Sequence, residues 1–260
     1  LYLDEDVILA DAETGKIIKK LTGPNSDPHF DAINFINSSG TWSPDGKQFA
    51  FIVFADGMNE IDIFDVGRQD IVRRIKPKEG VGAVNDVSWG PNDELIFSGM
   101  AGGLSDLYLY DLKTGKQEQL THDRYADIQP TWSPDGHSVA FVTDSGPRTN
   151  LDTLKYGPMH LAVMNMDTRA ISLLPGFDNA KAINPQYSPD GKSLYFVSDR
   201  NGFDDIYRID LATSGIYQVT RVSTGVSGNT ALSPTLSVAR QEGRLVFSLF
   251  ERGGFSLHRL

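Results

Sequence analysis

The stretch TWSPDGKQFAFIV beginning at Thr41 returns 90 residues later as TWSPDGHSVAFVT from Thr131, and the same pattern underlies SWGPNDELIFSG from Ser88 and QYSPDGKSLYFVS from Gln186. A fifth, degenerate copy is TLSVARQEGRLVFSL from Thr235. The anchor residues Trp42, Trp89, Trp132, Tyr187 and Leu236 are 47, 43, 55 and 49 residues apart. A period of this size belongs either to propeller blades or to some helical solenoids. Local patterning separates the two. Each turn is followed by a short apolar run rich in β-branched and aromatic residues, such as FAFIVF or LYFVS. A Gly turn and a second alternating run come next, as in EIDIFDV, DLYLYDL, HLAVMNM and DIYRIDL. These are strand signals, and no window carries a capped 3.6-residue apolar period.

Each unit therefore reads as four strands, one before the SPDG turn and three after it. Such a meander cannot bury both of its faces alone, so neighbouring units must stack around an axis as a β-propeller. The expected fold is all-β, a single propeller domain over residues 1–260. Full units are expected at 30–78, 84–122, 125–175 and 182–221, with partial units at about 1–28 and 229–260. VILADAETGKIIKKLTG (residues 7–23) reads as the last two strands of a unit, and the C-terminal unit supplies about three. Six blades are favoured over five, because both partial units contain a third strand. An opening LYLDEDVIL without initiator Met or leader reads as a mature or excerpted chain.

Composition narrows the partners. The net charge is -10 with no cysteine, and 40% of residues are hydrophobic. That balance opposes nucleic acid or anionic lipid as a partner and removes thiolate chemistry, and no apolar run is long enough to span a membrane.

With WSPDG and YSPDG turns and the stretch FVSDRNGFDDIYRIDLATSGIYQVT (residues 196–220), the sequence resembles the TolB-type propeller repeats. These are WD-like repeats of bacterial envelope proteins and of propellers attached to peptidases. The resemblance covers the whole chain. It implies a noncatalytic propeller that docks or scaffolds protein or peptide partners in the periplasm, cell envelope or a secreted complex. The alternative is a substrate-gating propeller of a larger peptidase or hydrolase whose catalytic domain lies elsewhere. Three features depart from the pattern: WGPND in the second copy, the degenerate fifth copy, and an inserted hairpin at residues 144–160.

Within SPDG, Pro fixes φ, Asp bonds the local backbone and Gly accepts φ > 0, so the motif is a joint rather than an active site. The preceding aromatic is suited to filling the wedge between blades. Enzyme templates are empty: HExxH, GxSxG and GxxxxGK[ST] are all absent, and only five histidines occur. Asp199, Asn201 and Asp205 are candidate calcium ligands, but Gly202 and Phe203 fall where a calcium loop needs other residues, so a hairpin turn is the preferred reading and no cofactor is expected.

A binding surface is expected at the mouth lined by the segments entering each innermost strand. These are PHFDAIN from Pro28, AVND from Ala83, RYADIQP from Arg124, AINP from Ala182 and SGNTALSP from Ser227. They place His29, Asp31, Asn85, Asp86, Tyr125, Asp127, Asn184 and Asn229 at comparable repeat positions, to meet a partner or to satisfy backbone groups between blades. Arg148, Lys155 and Tyr156 on the inserted hairpin form a second candidate surface.

Overall fold

The computed structural model describes residues 2–3, 6–22, 29, 31–34 and 36–260. Residues 23–28, which close the first unit, lie outside the described residues, as do Phe30 and Phe35. Among the described residues six antiparallel sheets follow one another along the chain, and within each the strands pair in sequence order. The third sheet comprises Ala83–Trp89, Glu94–Ala101, Leu104–Asp111 and Gln117–Gln119. The fourth comprises Asp127–Trp132, Ser138–Thr143, His160–Asn165 and Ile171–Leu173, and the fifth Ile183–Tyr187, Ser193–Ser198, Asp205–Asp210 and Ile216–Gln218. In the second sheet the innermost strand is broken: Ala32–Ile33 and Thr41–Trp42 both pair with Gln48–Ala55, which leads to Met58–Asp65 and Asp70–Ile75.

Both end sheets have three strands. The sixth comprises Leu236–Val238, Leu245–Glu251 and Gly254–Arg259, and the first Tyr2–Leu3, Asp6–Ala10 and Ile17–Thr22. The first sheet thus exceeds the two strands read from the sequence, because Tyr2–Leu3 pairs with Val7 and Asp6 but is too short to show a period.

The turns explain their own letters. Ser43 Oγ donates to Asp45 Oδ1 at 2.7 Å and accepts the Gln48 N–H at 2.9 Å, so Ser and Asp together lock the reversal. Ser133 with Asp135 and Ser188 with Asp190 repeat the contact, each at 2.6 Å. Hairpins between the last two strands of a sheet use a second device. Asp11, Asp111 and Asn165 each accept backbone N–H groups two and three residues ahead, and Asp210 that of Thr213.

The core is a series of layers between adjacent sheets. Ala50, Ile52 and Ile63 of the second sheet pack with Trp89 and Phe97 of the third. Ile96 and Leu109 pack with Trp132 and Val139, and Val142 and Leu161 with Tyr187 and Phe196. Each wedge aromatic thus packs against the preceding sheet. Trp42 departs from that expectation: it is 38% exposed and rests on Phe49 of its own sheet. Among the described residues, Arg244 and Arg259 of the sixth unit both meet Glu13 of the first.

The WGPND departure has a packing cause. A Cβ at Gly90 would lie 2.7 Å from the Trp132 ring, so the Ser of the other turns cannot be accommodated there. Further out, a Cβ at Gly136, whose φ is +76°, would lie 2.7 Å from Pro91, and Gly191 and Gly243 sit against Pro134 and Pro189 in the same manner. Gly136, Gly191 and Gly243 are therefore the seats of the preceding turns' prolines, whereas a Cβ at Gly46 would meet nothing within 4 Å. Gly90→Ala should cost about 1–3 kcal/mol in urea unfolding through overpacking against a rigid ring. Gly254→Ala, where a Cβ meets nothing within 4 Å, should stay within about 0.5 kcal/mol. Equal losses would refute the packing assignment.

Candidate functional site: a cup closed by an inter-blade ladder

Three residues before each wedge aromatic the inner strand carries a polar residue: Asp86, Gln129 and Asn184 in the third, fourth and fifth sheets. The register shifts by one residue in each of these strands, between Val84 and Val87, Ile128 and Thr131, and Ile183 and Gln186. Gln129 and Asn184 both sit at φ 53°, the left-handed conformation of a bulge. A bulge re-aims its side chain out of the pleat, which here lets the polar residue reach the next sheet.

The contacts run from sheet to sheet. The backbone N–H of Gln129 donates to the Asp86 carboxyl. Gln129 Oε1 accepts the Asn184 N–H at 2.7 Å, while its Nε2 donates to Leu232 O at 2.6 Å. Asn184 Oδ1 accepts two backbone donors, Thr235 N–H at 2.8 Å and Leu236 N–H at 2.7 Å. A second row lies two residues further along: Thr41 Oγ1 accepts the Trp89 N–H and Ser88 Oγ accepts the Trp132 N–H, both at 3.2 Å.

This ladder forms the floor of a cavity of about 770 Å³ whose walls are the inner strands and whose rim is made by the SPDG turns. Lining residues include Ser39, Asp86, Gln129 and Asn184 at the floor and Trp42, Pro44, Pro134, Pro189 and Gln241 nearer the rim. The cavity is thus a cup at the turn end of the inner strands. Burial pushes the Asp86 carboxyl up to about 7, against the hydrogen bonds from Gln129 and Ser98 that lower it.

The residues expected at the upstream mouth are therefore divided. Asp86 and Asn184 line the cup, reached from its floor. His29, Asp31, Asn85, Tyr125, Asp127 and Asn229 are not among its lining residues. His29 Nε2 lies 2.5 Å from Oε1 of the buried Glu60. Asp31 and Asn229 are exposed, Asn85 and Tyr125 half-buried, and Asp127 is 2% exposed. In the inserted hairpin Arg148 bonds Asn179, Lys155 closes a backbone bridge with Asn150, and Tyr156 is 65% exposed. Asp199 accepts the Lys181 N–H, Asp205 bonds Gln218 and Thr220, and Asn201 donates to Tyr207 and Gln218. These three candidate ligands therefore serve different bonds rather than one shared centre.

Gln129 and Arg240 are the site residues that the sequence reading missed. A signal for Gln129 was present: Pro130, Pro185 and Pro234 recur two positions before the anchor, and a proline in a central strand marks a bulge, since it cannot donate to the ladder. Arg240 lies in the degenerate copy, where no motif drew attention to it.

The fold and this layered, turn-rimmed cup define a β-propeller of repeated four-stranded blades. The family model of the TolB beta propeller domain matches residues 22–153, about half of the chain, and the chain belongs to that family. It is 30% identical to Dipeptidyl-peptidase 5 of Porphyromonas gingivalis over 56% of this chain and 22% of that protein. It is 32% identical to a Protein TolB homolog of Chlorobium chlorochromatii over 39% of this chain and 22% of that one. The matched regions thus span about a fifth of the length of these relatives. Among solved structures, TolB from Acinetobacter baumannii aligns with a TM-score of 0.67 at 18% identity, covering 98% of this chain and 59% of that one, a likeness of fold.

Asp127 supplies a pH prediction. Burial pushes its carboxyl up to about 7, with nearby Asp123 and Asp106 adding to the rise and the Thr143 and Thr121 hydroxyls opposing it. Between about pH 4 and pH 7 the folded protein holds a proton that the unfolded chain has released, so this site's contribution to stability falls as pH rises and levels off above about 7. Asp127→Asn should match the parent near pH 4 and exceed it at pH 8, on the order of a few kcal/mol. Urea midpoints at both pH values measure this, and a pH-independent difference would contradict it.

Proposed function

We propose that the chain is a noncatalytic docking propeller of a bacterial envelope or secreted complex, receiving a segment of a protein partner in the cup at its turn end. The observation that carries this reading is a cavity lined by the SPDG turns and, deeper along the inner strands, by Gln129 and Asn184, whose side-chain bonds link one sheet to the next. The cavity's lining of hydroxyls, amides, prolines and aromatic rings suits a peptide, because the backbone of an extended segment needs both donors and acceptors. No helix among the described residues is long and apolar enough to cross a membrane. Membership of the TolB-type family supports envelope localisation and a protein partner.

A second reading has its own support. The match to a dipeptidyl-peptidase over more than half of this chain favours a propeller that belongs to a larger hydrolase, with catalysis outside these residues.

A photo-crosslinking residue at position 42 on the rim, and another at Tyr217 on the outer strand of the fifth sheet, separates these outcomes in the native host. Docking predicts a discrete adduct with a second protein from position 42 and none from position 217. Equal adducts from both positions, or none, would remove the proposal, and an adduct confined to the same polypeptide would favour the hydrolase reading.

A further inference from the structure

Arg240 sits in the turn between the first two strands of the sixth sheet, and its Nη2 donates to the backbone carbonyl of Trp89 in the third sheet at 2.7 Å. Its side chain thus crosses from one wall of the cup to another. Arg240 lines the cavity and is exposed as a residue, while partial burial of its charged end lowers its pKa from the ordinary arginine value. The other arginine of the lining, Arg244, is neutralised by Glu13 and Glu242. Among the described residues, Arg240 forms no ion pair with a carboxylate, and its one hydrogen bond is to a neutral carbonyl. A guanidinium has five N–H donors in a fixed fork, so most of its donors remain for a ligand.

We infer that Arg240 is the anchor for a single carboxylate on the partner segment that enters the cup. This deepens the docking proposal and rests on it. A carboxylate fits the fork in bidentate fashion. A phosphate or a polyanion fits less well, because Asp45 and Glu242 share the lining and the chain as a whole carries a net charge of -10. The surroundings select one negative charge on an otherwise neutral peptide. That charge comes from an internal Asp or Glu side chain or from a C-terminus, and both present the same group to Arg240.

Trp42 on the rim provides a fluorescence reporter. Four pentapeptides are titrated: neutral and end-blocked; the same with one internal Glu; the same with a free C-terminal carboxylate; and the same with one phosphoserine. At least one of the two carboxylate peptides should bind tenfold or more tighter than the neutral one, and the better of the two identifies the source. Arg240→Gln, which keeps a donor for the Trp89 carbonyl, should abolish that preference, and Arg240→Lys should retain part of it. Both variants should keep the parent's circular dichroism. If Arg240→Gln fails to fold, decreasing preference between 20 mM and 500 mM salt in the parent, together with the Arg240→Lys result, decides the matter. No preference in the parent, a preference that survives Arg240→Gln, or tighter binding of the phosphopeptide would overturn the assignment. A partner adduct at position 42 without any carboxylate preference would leave docking intact and remove only this inference.

Discussion

The hydrogen bonds that Asp86, Gln129 and Asn184 make to the following sheets hold the rest of the structure in register. A single four-stranded blade exposes two apolar faces, and the layers that cover them fix how far apart the sheets lie but not how they slide, because apolar contact is non-directional. The directional element is the bulge residue. By taking the left-handed conformation, Gln129 and Asn184 turn their amides out of the sheet and bond backbone groups of their successors at 2.6 to 2.8 Å. Asn184 accepts two otherwise orphaned N–H groups, one of them on the buried Leu236, which is where a missing partner costs most.

The cup is a consequence of that arrangement. The bulge residues lie at one level of the inner strands, and from there the lining continues to the turns. The same turns that reverse the chain then form the rim. Pro91, Pro134 and Pro189 lie against the glycines of the next turns, so rim and joint are one structure. Ser43, Ser133 and Ser188 spend their hydroxyls on the neighbouring Asp, which leaves the rim's recognition to Trp42, Arg240 and Gln241.

Much of the fold was legible in the letters because propeller repeats write their joints in short-range chemistry. SPDG and the Asp-x-x-Thr hairpins each bond within a few residues, so a local window contains their physics. Period-two runs such as DLYLYDL and DIYRIDL give the strands for the same reason. The site was legible only in part. Asp86 and Asn184 stood at comparable repeat positions and do line the cup, but the side from which it opens depends on where the inner strands are plugged. That depends on bonds over 50 to 103 residues, such as Asn184 to Leu236 or Gln129 to Leu232. Arg240 was hidden for a further reason: its partner, the Trp89 carbonyl, is 151 residues away and carries no side-chain signature.

The claim that a side-chain ladder locks one sheet to the next is tested most directly by amide hydrogen exchange in Asn184→Gly. Glycine accepts the left-handed backbone without strain and removes only the side-chain acceptor. Loss of a buried partner worth about 1–3 kcal/mol corresponds to a roughly fivefold to hundredfold faster exchange at Leu236, with Thr235 affected in the same direction. The Gly191 amide, held by Ser188 O within its own turn at 2.9 Å, should be unchanged. An unaltered rate at Leu236 would contradict the account, because the sheets would then be held by their apolar layers alone.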